Sequence, residues 1–289
     1  MVFKKLCFLL LAILIISCSK NPYAYKIGIL QIAEDPTLDS GRAGIIKTLN
    51  ENGFVEGNQI SINYRNAQGD ISNAIQILQS FNNDKLDLIL TLGTPCAVAA
   101  AQLIKDIPVV YSVAFSPEQM GVKHVPPNIT GCYDPLDIEN LIKLMKEITP
   151  NLKKVGNIYN TSEPNAEYGA KRLVNESKNQ GIELIQVPVA SSNDVQQAAR
   201  TVIGKDVDVI VIVADNIVYL GIAPLVKLAN DNKIPLFVSD PIQVEKGALA
   251  GVGNDYYQWG VESGKIAVRI LNGELVSNLP AKALTNYVF

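Results

Sequence analysis

The side chains best placed to do chemistry are polar residues that close apolar runs. Asp215 ends Ile212-Val213-Ala214-Asp215, and Asp240 ends Phe237-Val238-Ser239-Asp240. A carboxylate buried there alone is costly, and a cationic group on a bound molecule offsets that cost. Thr94 in Leu92-Gly93-Thr94-Pro95 and Ser162 in Tyr159-Asn160-Thr161-Ser162-Glu163 each stand at a turn into a helix. Free N–H groups and the helix dipole favour an anion at such places, with the hydroxyls as added donors. Gly93 lets the backbone come close to a ligand. Gln31, Ser116 and Asn160 are neutral hydrogen bonders at the ends of other runs. Each residue also has a plainer use: Thr94, Ser162, Asp215 and Asp240 can cap the helices that follow. The two uses coexist when side chain and backbone divide them.

Binding is all that these residues offer; sets that make or break bonds are missing. There is one histidine, His124, no Gly-x-Ser-x-Gly elbow and no paired carboxylates at defined spacing. Gly251-Val252-Gly253 lacks the third glycine of a dinucleotide fingerprint. No Cys/His cluster has metal-ligand spacing, so neither a metal nor a cofactor is expected. The 25 basic and 28 acidic side chains are spread along the chain without a basic stripe, which argues against nucleic acid as a partner. Phe115, Tyr159, Tyr219, Tyr256 and Trp259 supply aromatic surface that could stack on a ligand. Trp259, at helical spacing from Tyr256, reads as core rather than pocket wall.

Positioning these residues falls to alternating strands and helices. Strands are read at 26–30, 60–64, 87–92, 108–112, 128–133, 155–159, 182–187, 208–213, 235–239 and 248–253. Runs such as Val209-Ile210-Val211-Ile212-Val213 are apolar throughout, the mark of parallel strands covered by helices on both faces. Thr94-Pro95, Ser116-Pro117 and Asp134-Pro135 each set a capping side chain before a proline and predict helix starts. Between 135 and 148, Leu136, Ile138, Leu141, Ile142, Leu144 and Met145 form one apolar face. The class is α/β with right-handed crossovers. One sheet of ten strands would be crowded, and the chain instead offers two similar halves, about 25–129 and 130–240. Each ends in a proline-led strand, Ile107-Pro108-Val109-Val110 and Ile234-Pro235-Leu236-Phe237. The expectation is two Rossmann-like lobes joined by a hinge near Gly131 and 247–253, with the ligand cleft between facing strand ends. Residues 25–130 and 248–283 would form the first lobe, and 131–247 and 284–289 the second.

The N-terminus has its own signal. Lys4 and Lys5 precede an apolar run from Leu6 to Ser17, as in a secretory signal too short to span a bilayer comfortably. It ends Ile15-Ile16-Ser17-Cys18, which resembles a bacterial lipobox. That resemblance implies cleavage before Cys18, diacylation of Cys18 and a membrane anchor facing the periplasm or exterior. Residues 1–17 would be the signal peptide and 18–24 a polar tether. Cys7 would leave with the signal. Cys96 and Cys132 sit in apolar contexts and are expected to be buried and free, although the compartment permits a disulfide.

Five further stretches lie in order over nearly the whole mature chain: Ile27-Gly28-Ile29-Leu30-Gln31, Leu92-Gly93-Thr94-Pro95-Cys96-Ala97, Asn128-Ile129-Thr130-Gly131, Tyr159 to Asn165, and Gly253 to Gly260. Together they resemble periplasmic-binding-protein-like ABC transporter substrate-binding proteins of the tryptophan/tyrosine-type branch. The resemblance implies a two-lobed, type I receptor that closes on a small solute and presents it to a membrane permease and its ATPase. In that branch the solutes are often aromatic amino acids. Such a zwitterion would set its carboxylate near Thr94 and Ser162 and its ammonium at Asp215 or Asp240, with Gln31, Ser116 and Asn160 as further contacts. Members usually continue past a point like Phe289, so the third crossing between lobes is expected to be incomplete. Two alternatives stand beside this reading: a receptor of the same fold serving a sensor, and a secreted α/β enzyme, which turnover would reveal. A repressor's ligand-sensing domain would carry a DNA-binding module where this chain has a secretion signal.

Overall fold

A computed structural model describes residues 24–285, 287 and 288. The signal, Cys18 and most of the tether lie outside the described residues. The first half runs β1 (Tyr25–Gln31), α1 (Pro36–Glu51), β2 (Ile60–Asn66), α2 (Ile71–Asn83), β3 (Leu88–Leu92), α3 (Thr94–Leu103), β4 (Val109–Ala114) and β5 (Ile129–Tyr133). Next come α4 (Ile138–Ile148), β6 (Lys154–Asn160), α5 (Pro164–Asn179), β7 (Glu183–Val189), α6 (Val195–Ile203), β8 (Val209–Ile212), α7 (Asn216–Leu220), α8 (Ile222–Asp231) and β9 (Leu236–Val238). The chain ends with β10 (Ala250–Gly251), β11 (Gly253–Asn254), α9 (Tyr256–Leu271), β12 (Lys282–Ala283) and β13 (Tyr287–Val288).

Two parallel sheets result, ordered β12-β5-β4-β3-β1-β2 and β10-β9-β8-β6-β7. The central strands β3 and β8 are buried along their whole length, and apart from Thr91 their side chains are all apolar. Ile27, Ile29, Leu88, Leu90 and Val110 anchor the first core, and Val195, Val202, Ile210 and Leu225 a core of the second lobe. A further cluster, with Leu141, Met145, Val209 and Phe237, covers the other face of the second sheet. Cys96 and Cys132 are buried and unpaired.

Several boundaries differ from the sequence expectation. The exchange expected after residue 130 falls inside β5, which stays in the first sheet to Tyr133 and pairs there with Ala114. Gly131 lies within β5, and a Cβ there would meet the Tyr111 carbonyl oxygen at 2.2 Å, so the glycine serves close strand packing. The strand expected over 248–253 divides, β10 joining the second sheet and β11 pairing antiparallel with β13. Ser116-Pro117 opens a turn rather than a helix: Ser116 and Gln119 exchange the hydrogen bonds of a capping box at 2.8 and 3.2 Å, but the chain turns away at Gly121, whose φ is 83°. The helix expected from Pro135 begins at Ile138, where Asp137 caps it by accepting the Asn140 N–H at 3.0 Å. The third crossing is present: β12 lies beside β5, and Tyr287 of β13 packs on the second lobe.

Candidate functional site

Parallel sheets direct their loops to the carboxyl ends of the strands, and here the two sets of loops face one another. Between them lies a cavity with about 490 Å³ of empty space, counting the part open to solvent. The first lobe contributes Asp35, Thr37, Thr94, Phe115 and Asp134; the second contributes Asn165, Asp215, Asn216, Tyr219 and Asp240; Tyr256 and Trp259 of α9 complete the wall.

The acids are positioned as caps. Asp35 precedes Pro36 and accepts the Thr37 N–H at 2.9 Å, which starts α1. Asp215 accepts from Val218 N–H at 2.8 Å and Asn160 N–H at 2.5 Å. Asp240 accepts from the Thr37 hydroxyl across the cleft, from Gln243 Nε2 at 2.8 Å and from Ile242 N–H at 3.1 Å. Asp134 Oδ1 takes the Leu136 N–H at 2.7 Å and the Tyr287 hydroxyl at 3.2 Å. Burial raises the carboxyls of Asp134 and Asp240 to about 6. For Asp215, burial and the neighbouring Glu163 carboxyl raise it to about 8. Lys246 reaches Asp35 from the rim at 2.9 Å, but among the described residues no lysine, arginine or histidine lines the cavity. A ligand ammonium fits this surplus of acid.

An anion has a place as well. α3 follows Gly93, whose φ of 97° only glycine adopts readily, and no side chain caps the helix. The Thr94 oxygen accepts the Phe115 N–H at 2.9 Å, which leaves the hydroxyl proton to donate into the cavity. Val113 and Ala214, at matching strand ends of the two lobes, both line the cavity with left-handed backbone, φ 49° and 47°. Non-glycine residues in that region are uncommon and concentrate where backbone meets ligand.

Of the seven residues read from the sequence, Thr94, Asp215 and Asp240 meet at this cavity. The other four do not line it. Gln31 spends its amide on Ala33 O and Asp39, and its oxygen on Arg42. Ser116 is held in its turn by Gln119. Asn160 donates to Val189 O and Ala190 O and accepts from Ser162 and Glu163 N–H groups, while Ser162 itself is exposed. Of the aromatics, Phe115, Tyr219, Tyr256 and Trp259 line the cavity and Tyr159 does not. Trp259 is both core and wall: it stacks on Tyr256 with ring centroids 5.8 Å apart and donates from Nε1 to Cys132 O at 3.0 Å. Asp35, Thr37, Asp134, Asn165 and Asn216 escaped the sequence reading as ligand contacts. Asp35-Pro36 carries the same cap-and-proline signal as Asp134-Pro135, and only the fold shows that both face the cleft.

Two α/β lobes closing over a polar, aromatic-walled cavity define a small-molecule receptor of the periplasmic binding protein type. The chain belongs to the ABC transporter substrate-binding protein family, whose model matches residues 26–289. It is a family of binding proteins, not enzymes. A "Tyrosine-binding protein" of Clostridioides difficile is 37% identical over 263 residues, 90% of this chain and 76% of that one. An ABC domain from Streptococcus pneumoniae in complex with L-Trp superposes with a TM-score of 0.83 at 29% identity, over 91% of this chain and 90% of that one. A ligand-free, open substrate-binding protein with adhesive properties from Clostridium difficile gives 0.66 at 37% identity, over 90% and 89%.

Proposed function

We propose that this chain is the extracytoplasmic, lipid-anchored receptor of an ABC importer, and that it binds an aromatic amino acid for delivery to the permease. One observation carries the ligand class: a single cavity joins unopposed carboxylates, an uncapped helix start and four aromatic side chains. The ligand carboxylate would sit at Thr94 and the first turn of α3. Its ammonium would meet Asp134 and Asp240, and its ring would lie among Phe115, Tyr219, Tyr256 and Trp259. The tyrosine- and L-Trp-binding relatives support this class. The lobes would close about the strands between them and trap the ligand. In support, the described shape is nearer the L-Trp complex than the open relative, although the open relative is nearer in sequence. Ile15-Ile16-Ser17-Cys18 supports the anchor.

Titration calorimetry of the mature protein with the twenty amino acids tests the reading. Saturation at a hundred times the dissociation constant would add about 2.7 kcal/mol of stability, so thermal shifts give an independent readout. Absence of binding to tyrosine, tryptophan and phenylalanine would remove the aromatic assignment. Membrane association that survives Cys18→Ser unchanged would remove the lipid anchor.

A further inference from the structure

Asn165, the second residue of α5, is only 4% exposed and lines the cavity. Its Nδ2 donates to Ala214 O at 2.7 Å and lies 3.4 Å from Glu163 Oε2. Reversing the amide would set its oxygen against both of those oxygens, so the orientation is fixed. Glu163 serves Asn216 too, accepting from its N–H and its Nδ2, each at 2.9 Å. One buried carboxyl thus holds the nitrogen ends of two cavity asparagines. Among the described residues that line the cavity, Asn165 Oδ1 is the one buried side-chain nitrogen or oxygen without a partner. Such an acceptor is unfavourable until a donor reaches it.

The ligand ammonium has carboxylates to meet first. Its three N–H donors face Asp134, Asp215 and Asp240 in the same space, and hydrogen bonds to ionised acceptors are about twice as strong as those to neutral ones. The amide oxygen is left for a neutral donor. On an aromatic amino acid that donor is the phenolic O–H or the indole N–H; phenylalanine has neither.

We propose that Asn165 is a specificity-determining residue: its Oδ1 accepts from the ligand's side-chain O–H or N–H and selects tyrosine- or tryptophan-like ligands over phenylalanine. This rests on the aromatic amino acid reading above and names its selectivity.

The test compares ligands that differ in that donor alone. Calorimetry would pair tyrosine with phenylalanine, and tryptophan with 3-benzothienylalanine, in which sulfur replaces the indole N–H. In the unaltered protein the donor-bearing member of at least one pair should bind on the order of tenfold tighter or more, as in sites built around a ligand hydroxyl. In Asn165→Ala that ratio should fall below about threefold, since no acceptor is then left unpaired by the wrong ligand. Ratios near one in the unaltered protein, or a ratio that survives Asn165→Ala, would overturn the proposal. The first comparison needs no variant, so a folding defect cannot shelter it. If none of the four ligands binds, the aromatic reading fails and this inference with it; if all four bind alike, only this inference fails.

Discussion

Asp215 and Asp240 close neighbouring strands of the second sheet, and burial holds both carboxyls, with Asp134, above the ordinary 3.8. The consequence can be read as stability. Between the unfolded values near 4 and the folded values of about 6 and 8, the native protein holds protons that the unfolded chain has lost. That contribution is complete below the unfolded values and disappears as pH rises through the folded ones. The ligand-free melting temperature should therefore be higher near pH ~5 than near pH ~8. A bound ammonium favours the ionised acids, so the increment from tyrosine should instead grow from pH ~5 to pH ~7.5. Thermal scans with and without ligand check both signs; a ligand-free curve that climbs towards alkaline pH, and is unmoved by Asp215→Asn, would contradict the assignment. Thr94, Asp215 and Asp240 were legible in the sequence because parallel strands deliver their last residues to one edge. Gln31 and Asn160 stand at the same kind of edge, but their amides meet local carbonyls first, and a sequence does not display that competition.

At the scale of elements, the crossing of α1 and α9 decides where the aromatic wall stands. The helices meet through small residues: a Cβ on Gly260 would lie 1.9 Å from Gly41 O, and one on Gly44 would lie 2.2 Å from Tyr257 O. Neither contact can be relieved by a side-chain rotation, because both partners are backbone. Gly260→Ala must push the helices apart, which costs about 1–3 kcal/mol for overpacking of this kind. Since α9 carries Tyr256 and Trp259 at its first turn, the same displacement should weaken tyrosine binding as well as lower the melting temperature. Calorimetry and thermal unfolding of the variant check the pair, and a fall in stability with unchanged affinity would show that α9 does not set the wall. The elements themselves were largely legible, since runs such as Val209 to Val213 admit little but a buried strand. The differences fall where proline signals are ambiguous: Ser116-Pro117 makes a turn and Asp134-Pro135 an approach to a helix that Asp137 caps three residues later, because a cap-and-proline dipeptide marks a change of chain direction without fixing the helix's first residue. Helical spacing places Trp259 in the core, where it lies, yet periodicity does not show that the core's edge is also a cavity wall.

Across the whole molecule, closure is written in contacts between lobes that no local pattern announces. Thr37, at the start of α1, donates to Asp240 at the end of β9, and Gln243 supports the same carboxylate. Nearby, Lys246 of the second lobe meets Asp35 of the first at 2.9 Å. An exposed pair would contribute little. Asp35, however, is 5% exposed, so losing its partner while the lobes stay closed would leave a buried acid with only its cap to the Thr37 N–H. Opening relieves that penalty by returning Asp35 to water. The double variant Thr37→Val, Lys246→Met should therefore shift the ligand-free protein towards the open form and leave each lobe folded, because neither core includes these side chains. Ligand must then supply the closing free energy, and a shift of about 1–2 kcal/mol would weaken apparent affinity by at most about 5–30-fold. Solution scattering gives the direct reading: a larger radius of gyration than the unaltered protein without ligand, and the same radius at saturating tyrosine. Identical scattering in both conditions together with unchanged affinity would mean that these contacts accompany closure without stabilising it.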